Sequence, residues 1–130
     1  MILFDTDICV ELLRGNEEII DKGQEANSEV GVSSITVAEL FYGAEKSVAT
    51  KKNYFLIEEF LLTARILELD FTILKKFAQL KNKLRNEGNL LADADIFIAA
   101  TALEKCEKLI TGNVKHFIRF EELNIENWIR

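Results

Sequence analysis

An α/β domain built on a mostly parallel sheet is the fold class this sequence predicts. Three observations carry that expectation. Short apolar runs alternate with longer stretches of helical periodicity. Each run stops at a polar or acidic residue. The 130 residues are 48% apolar, with six Gly and no Pro, which suits one core and leaves no stretch with the composition of a linker or repeat. The chain is therefore read as a single domain over 1–130.

The elements follow in order. Residues 2–4 form the first apolar run and end at Asp5. Ile8, Leu12 and Leu13 then recur at helical spacing over 7–14, and Gly15 stops them. A more polar helix spans 16–27. The second run, 30–33, ends at Ser34, and Val37, Leu40 and Phe41 place a helix over 36–46. Phe55, Leu56, Phe60, Leu61 and Leu62 support another over 49–64. The third run, 65–69, ends at Asp70. From there Ile73, Phe77, Leu80 and Leu84 repeat over 71–87, with Asp70 as N-cap and Gly88 as terminator. Residues 95–105 are apolar nearly all round, the pattern of a central buried helix. The fourth run, 108–110, ends at Thr111. Runs too short for helices and apolar on both faces read as buried parallel strands. Parallel strands joined by right-handed crossovers put their carboxyl ends on one edge, where ligands bind.

Charge narrows the function classes. Lys and Arg number 16, Asp and Glu 22, a net charge of −6. That balance excludes capture of nucleic acid by bulk positive charge. One local exception exists: residues 71–88 carry Lys75, Lys76, Lys81, Lys83 and Arg85 against Glu87 alone. This strip is either the solvated face of an amphipathic helix or a contact for an RNA backbone, with Lys46, Lys51 and Lys52 as lesser candidates. No apolar run is long enough to span a membrane. The amino terminus lacks the basic segment of a secretory signal. Cys9 and Cys106 make no disulfide framework and read as small core hydrophobes. A cytoplasmic setting is the expectation.

Four carboxylates fall at the predicted carboxyl edge. Asp5 ends the first strand. Glu39 lies one turn into the helix after the second. Asp93 and Asp95 open the buried helix before the fourth. Converging carboxylates repel unless a cation lies between them, and oxygen-only ligands suit Mg²⁺ or Mn²⁺. With no His/Cys cluster, zinc is disfavoured. Carboxylate-held Mg²⁺ supports phosphodiester hydrolysis. Each acid also has a local reading. Thr36-Val37-Ala38-Glu39 fits a capping box. Asp7 fits a helix cap. Asp93 and Asp95 suit a helix N-terminus.

These residues resemble the PIN-domain ribonucleases, and among them the VapC-type toxins of toxin–antitoxin pairs. Leu3-Phe4-Asp5-Thr6-Asp7 is similar to the family's opening strand and Asp-Thr-Asn. Ser33-Ser34-Ile35-Thr36-Val37-Ala38-Glu39-Leu40 with Tyr42-Gly43-Ala44-Glu45-Lys46-Ser47 resembles its second motif. Asp95-Ile96-Phe97-Ile98-Ala99-Ala100-Thr101-Ala102 resembles its third, and Thr111-Gly112-Asn113-Val114-Lys115-His116-Phe117 its fourth. Leu123 through Trp128 matches the usual ending. The resemblance implies a three-layer α/β/α fold, Mg²⁺- or Mn²⁺-dependent RNA cleavage, a homodimer and inhibition by a small antitoxin. It implies metal-binding roles for Asp5, Glu39 and Asp95, joined by Asp93 where the family often has a further acid. Thr6 and Thr111 match small hydroxyl positions near the site. Three positions depart from the pattern. Asp7 replaces the usual Asn. Asn113 stands where many members carry an acid, and orients water or metal through its amide. His116 stands where members often have Asp or Glu, as a spectator or a contact to substrate phosphate. Lys83, Arg85 and Lys46 complete the substrate-binding candidates.

Two other functions remain in view. Phe4-Asp5-Thr6-Asp7 also resembles the opening of haloacid-dehalogenase phosphatases, with Asp5 as nucleophile, but Cys9 and the absence of a later Gly-Asp-x-x-x-Asp segment count against it. A catalytically idle binding module is the other. Ile8, Leu12, Leu13, Phe55 and Phe60 either line a groove for an antitoxin helix or belong to the core, and core is the favoured reading.

Overall fold

The computed structural model describes residues 1–129. Five strands form one sheet: β1 (Ile2–Phe4), β2 (Val30–Ser33), β3 (Arg65–Leu67), β4 (Lys108–Ile110) and β5 (Ile125–Glu126). Their order across the sheet is β3-β2-β1-β4-β5, and every neighbouring pair is parallel. Phe4 pairs with Val32 on one side and Ile110 on the other, so β1 and β4 end level and β2 runs one residue further.

Alternation along the strands divides the core. Ile2, Phe4 and Ile110 face one side, where they meet Ile8 and Cys9 of α1 (Thr6–Leu13), Ile19 of α2 (Glu17–Ala26), Leu40 and Ala44 of α3 (Ser34–Lys46) and Ile57 of α4 (Thr50–Leu61). Leu3 and Leu109 face the other side. There they pack with Leu84 of α5 (Phe71–Asn86), Ile96, Ile98, Ala99 and Ala102 of α6 (Asp93–Lys105) and Phe117 of α7 (Val114–Phe117). The result is the expected α/β/α arrangement. As its sequence suggested, α6 is buried on most faces. It lies along α5 with Phe77 stacked on Phe97, ring centroids 3.9 Å apart. Three ion pairs (Asp70–Lys105, Lys76–Glu104, Lys81–Asp93) run along that seam and set the two helices antiparallel. Cys9 is buried and Cys106 half-buried, both as free thiols.

Several boundaries differ from expectation for identifiable reasons. The strand expected over 65–69 ends at Leu67 and exposes Arg65 and Ile66, because it is an edge strand bonded only to β2. The helix expected from 36 begins at Ser34, since the Ser33 hydroxyl already caps it by accepting from the Ile35 N–H. Asp5 caps α1 instead of Asp7, its side chain accepting from the Thr6 N–H. α6 begins at Asp93, two residues early, leaving both acids in its first turn. α7 and β5 have four and two residues, too short to show a period. Asp70 and Gly88 bound α5 as expected, with Asp70 accepting from the Ile73 N–H and Gly88 at φ 65°.

Because Leu109 is fully buried at the centre of β4, Leu109→Ala is expected to cost about 3 kcal/mol in urea unfolding. A loss below about 1 kcal/mol would contradict the placement of this strand in the core.

Candidate active site

Parallel pairing delivers Asp5 and Thr111 to adjacent positions, each directly following a central strand. Asp5 is only 5% exposed. Its Oδ1 accepts from the Thr6 N–H at 2.8 Å, and its Oδ2 accepts from the Thr111 hydroxyl at 2.7 Å. Thr111 Oγ1 in turn accepts from the Asn113 N–H at 2.9 Å, which fixes its rotamer. Burial drives the Asp5 carboxyl upward, the charge of Asp7 adds to that, and the hydrogen bond from Thr111 opposes it; the net value is about 7.

Glu39 reaches the same edge from α3. Thr6 Oγ1 lies 2.7 Å from Glu39 Oε1 and 3.0 Å from Thr36 Oγ1. A carboxylate accepts, so the one Thr6 proton goes to Glu39 and Thr36 donates to Thr6. The capping-box reading of Thr36 and Glu39 is thereby corrected. Both side chains face the neighbouring α1 instead of closing their own helix, whose cap is Ser33.

Asp95 enters from the first turn of α6. Its Oδ2 is 2.9 Å from His116 Nδ1, and the Asn113 side-chain amide is 2.8 Å from the same nitrogen. A carboxylate oxygen accepts, so Nδ1 donates to Asp95, and Asn113 Nδ2 lies beside the same ring nitrogen. His116 and Asn113 thus meet at Asp95.

Asp5, Thr6, Asp7, Glu39, Asp95, Gly112, Asn113 and Ile129 line one cleft of about 450 Å³. Its four charged residues are all acidic. Asp7 binds the Gly112 N–H through Oδ2 at 2.9 Å, and burial raises its carboxyl above the ordinary range. Asp7 Oδ1 is buried with no hydrogen-bond partner. The oxygen-only donor set and this orphaned atom fit a hard divalent cation. The carboxylates face one cleft without closing on a single point: among the described residues, no three acidic, His or Cys side chains are gathered tightly enough to ligate an ion as they stand. Glu39 is exposed on a flexible side chain and can turn inward at small cost.

Other candidates lie elsewhere. Asp93 does not line the cleft; it is ion-paired to Lys81 at 2.9 Å, on the α5 side of α6. Lys83 lines a separate hollow with Lys76, Leu80 and Arg119. Arg85 is exposed. Lys46 sits with Nζ 4.5 Å from the centre of the Tyr42 ring. None of these three basic residues lines the carboxylate cleft. In the other direction, local pattern read Asp7 and Thr36 as caps, and only the family resemblance set Asp7 near the cation site. The contact that would have exposed Asp7 spans most of the chain, from the first turn of α1 to Gly112, and leaves no local pattern.

Comparison with known proteins agrees with this arrangement. The PIN domain family matches residues 2–123. Ribonuclease VapC2 of Haemophilus influenzae is 36% identical over 128 residues, covering 98% of this chain and 97% of its own. The tRNA(fMet)-specific endonuclease VapC of Salmonella typhimurium is 31% identical over 127 residues, covering 97% and 96%. The crystal structure of VapBC2 from Rickettsia felis, bound to a DNA fragment from its promoter, aligns with TM-score 0.91 and 29% identity over 98% of this chain and 99% of that one.

The Asp5 carboxyl makes stability depend on pH. Its folded value of about 7 lies above the ordinary 3.8, so between these values the folded chain keeps a proton that the unfolded chain releases. Stability therefore falls as pH rises through that window. In chelator, Asp5→Asn is expected to flatten the decline in melting temperature between about pH 4 and 7, and to melt higher than the wild type at pH 8 by roughly 5 °C. Equal slopes for the two proteins would show that Asp5 is not the source.

Proposed function

The chain belongs to the PIN-domain family, beside the VapC ribonucleases, and from that premise we propose that it is a divalent-cation-dependent endoribonuclease acting as the toxin of a toxin–antitoxin pair. The observation that carries this reading is the cleft at the carboxyl ends of β1 and β4, lined by four acids and no basic residue. In this reading Asp5, Glu39 and Asp95 hold the cation. A bound Mg²⁺ or Mn²⁺ would activate water and stabilise charge on the phosphoryl oxygens of RNA.

The surrounding residues prepare those acids. Thr111 fixes Asp5 by donating to Oδ2. Thr6, itself aligned by Thr36, tethers Glu39 near the cleft. His116 donates to Asp95 and limits its rotation, while Asn113 constrains the imidazole. These are the outer contacts that orient a ligand carboxylate. Asp93 is left out of the cation set, because Lys81 holds it away from the cleft.

RNA must approach a chain of net charge −6. Of the basic strip on α5, Lys76 and Lys81 are already paired with Glu104 and Asp93. Lys75, Lys83 and Arg85, all exposed, are the remaining candidates for backbone contacts. Binding led by so few cations depends only shallowly on salt. The Salmonella relative is named for tRNA(fMet), which makes a tRNA pool the first substrate to try.

A partner also follows from this reading. Solved relatives are VapBC toxin–antitoxin complexes. Here Val10, Leu13, Leu40, Leu56 and Ile57 line a mostly apolar hollow of about 320 Å³ that reaches Glu39. Of the residues considered for such a groove, Ile8 is core, Leu12, Leu13 and Phe60 are half-buried, and Phe55 is exposed. An apolar antitoxin segment fits there, and a homodimer is the accompanying expectation. Among the described residues no helix is long and apolar enough to cross a membrane. Membership of the PIN family displaces the phosphatase alternative.

Cleavage of a fluorogenic RNA and of a tRNA pool tests the proposal. Chelator should abolish cleavage and Mg²⁺ or Mn²⁺ restore it. Asp5→Ala and Asp95→Asn should each lose on the order of 100-fold or more while keeping the wild-type circular dichroism. Full cation-dependent cleavage by either variant would remove that residue from the site. Cleavage by no form of the protein would favour the idle module.

A further inference from the structure

Building on the nuclease reading, we propose that Asp7 is itself a ligand of the divalent cation, through Oδ1, alongside Asp5, Glu39 and Asp95. Asp7 does not do the work of a helix cap, since Asp5 occupies that position. Its side chain instead crosses to the loop after β4, where Oδ2 accepts from the Gly112 N–H at 2.9 Å. That approach is built into the sequence. A Cβ on Gly112 would lie 3.0 Å from Asp7 Oδ2 and 2.5 Å from Ile129 Cδ1, so a larger residue would push both side chains from these positions. Anchoring Oδ2 fixes the carboxylate plane and with it the position of Oδ1.

Oδ1 is then a buried oxygen without a donor, the only side-chain nitrogen or oxygen of the described residues in that condition. Leaving it so costs the desolvation of an unpaired carboxylate oxygen. Once its acids are ionised, the cleft offers no internal remedy. Glu39, Asp95 and ionised Asp5 accept and do not donate, and Asp5 can give Asp7 a hydrogen bond only while it keeps its own proton. The hydroxyls of Thr6 and Thr111 are committed to Glu39 and Asp5. Asp7 and Asp5, two residues apart, both line the cleft, and as carboxylates they repel. An ion that accepts lone pairs relieves both penalties at once. A hard divalent cation of the Mg²⁺ or Mn²⁺ class does so with oxygen ligands.

The aspartate therefore has opposite effects in the two states of the site. Without cation it destabilises, and with cation it contributes a fourth negative ligand. Asparagine in its place would keep the Gly112 contact through its carbonyl and turn a donor towards the cleft. This opposition separates a ligand from a merely structural residue.

Mn²⁺ titration calorimetry on the metal-stripped wild type, Asp7→Asn and Asp95→Asn, with melting temperatures recorded with and without Mn²⁺, tests the assignment. Asp7→Asn is expected to melt above the wild type without cation, to bind Mn²⁺ roughly ten-fold or more weakly, and to gain less from its addition. If Asp7→Asn binds Mn²⁺ as the wild type does while Asp95→Asn has lost binding, Asp7 is not a ligand and the nuclease site stands. If Asp7→Asn melts lower without cation and binds normally, its role is structural and the proposal fails. If the wild type itself binds no Mn²⁺, both the assignment and the cation site beneath it are overturned.

Discussion

The structure depends on one carboxylate kept out of water at the end of its central strand. Asp5 follows β1, the middle of five parallel strands, and is almost fully buried. A carboxylate there is costly to ionise. Parallel pairing with β4 brings the Thr111 hydroxyl within 2.7 Å of it, and the start of α1 supplies the Thr6 N–H. Those two donors compensate only part of the cost, and the carboxyl remains raised to about 7. That residual cost is the reason for proposing a cation at this point.

Around that centre, polar contacts connect elements distant in sequence. Thr36 and Thr6 carry a hydrogen-bond chain from α3 through α1 to Glu39. His116 and Asn113 join the loop after β4 and α7 to Asp95 on α6. Gly112 ties that loop to α1 through Asp7. The acid excess of the chain is accordingly uneven in meaning. Some acids outside the cleft pair with lysines, as Asp93 does with Lys81 and Glu104 with Lys76, whereas no Lys or Arg lines the cleft.

Much of this could be read in the sequence, for physical reasons. Buried parallel strands need apolar residues on both faces, so β1, β2 and β4 stood out even at three or four residues. Their carboxyl ends mark an edge, so Asp5 and Thr111 could be placed together without coordinates. Resemblance to the PIN-domain motifs added Glu39 and Asp95. What stayed hidden depends on side-chain direction. Asp93 and Asp95 both open α6, and two residues of helix turn one towards Lys81 and the other towards His116. Thr36 and Glu39 have capping-box spacing, yet Ser33 takes the cap and frees both for the site. Asp7 looked like a cap because its true partner, Gly112, lies at the other end of the chain. β3 carried the right residues for a strand, but its edge position was fixed by the sheet order alone.

The central claim is that the cost of burying Asp5 is met by a divalent cation held in the carboxylate cleft. Anomalous diffraction from crystals soaked in Mn²⁺ tests it most directly. A Mn²⁺ peak in that cleft, in contact with Asp5 and Asp95, is the expected result. A well-diffracting soak with no peak there, or with its strongest peak on surface carboxylates away from the cleft, would contradict it.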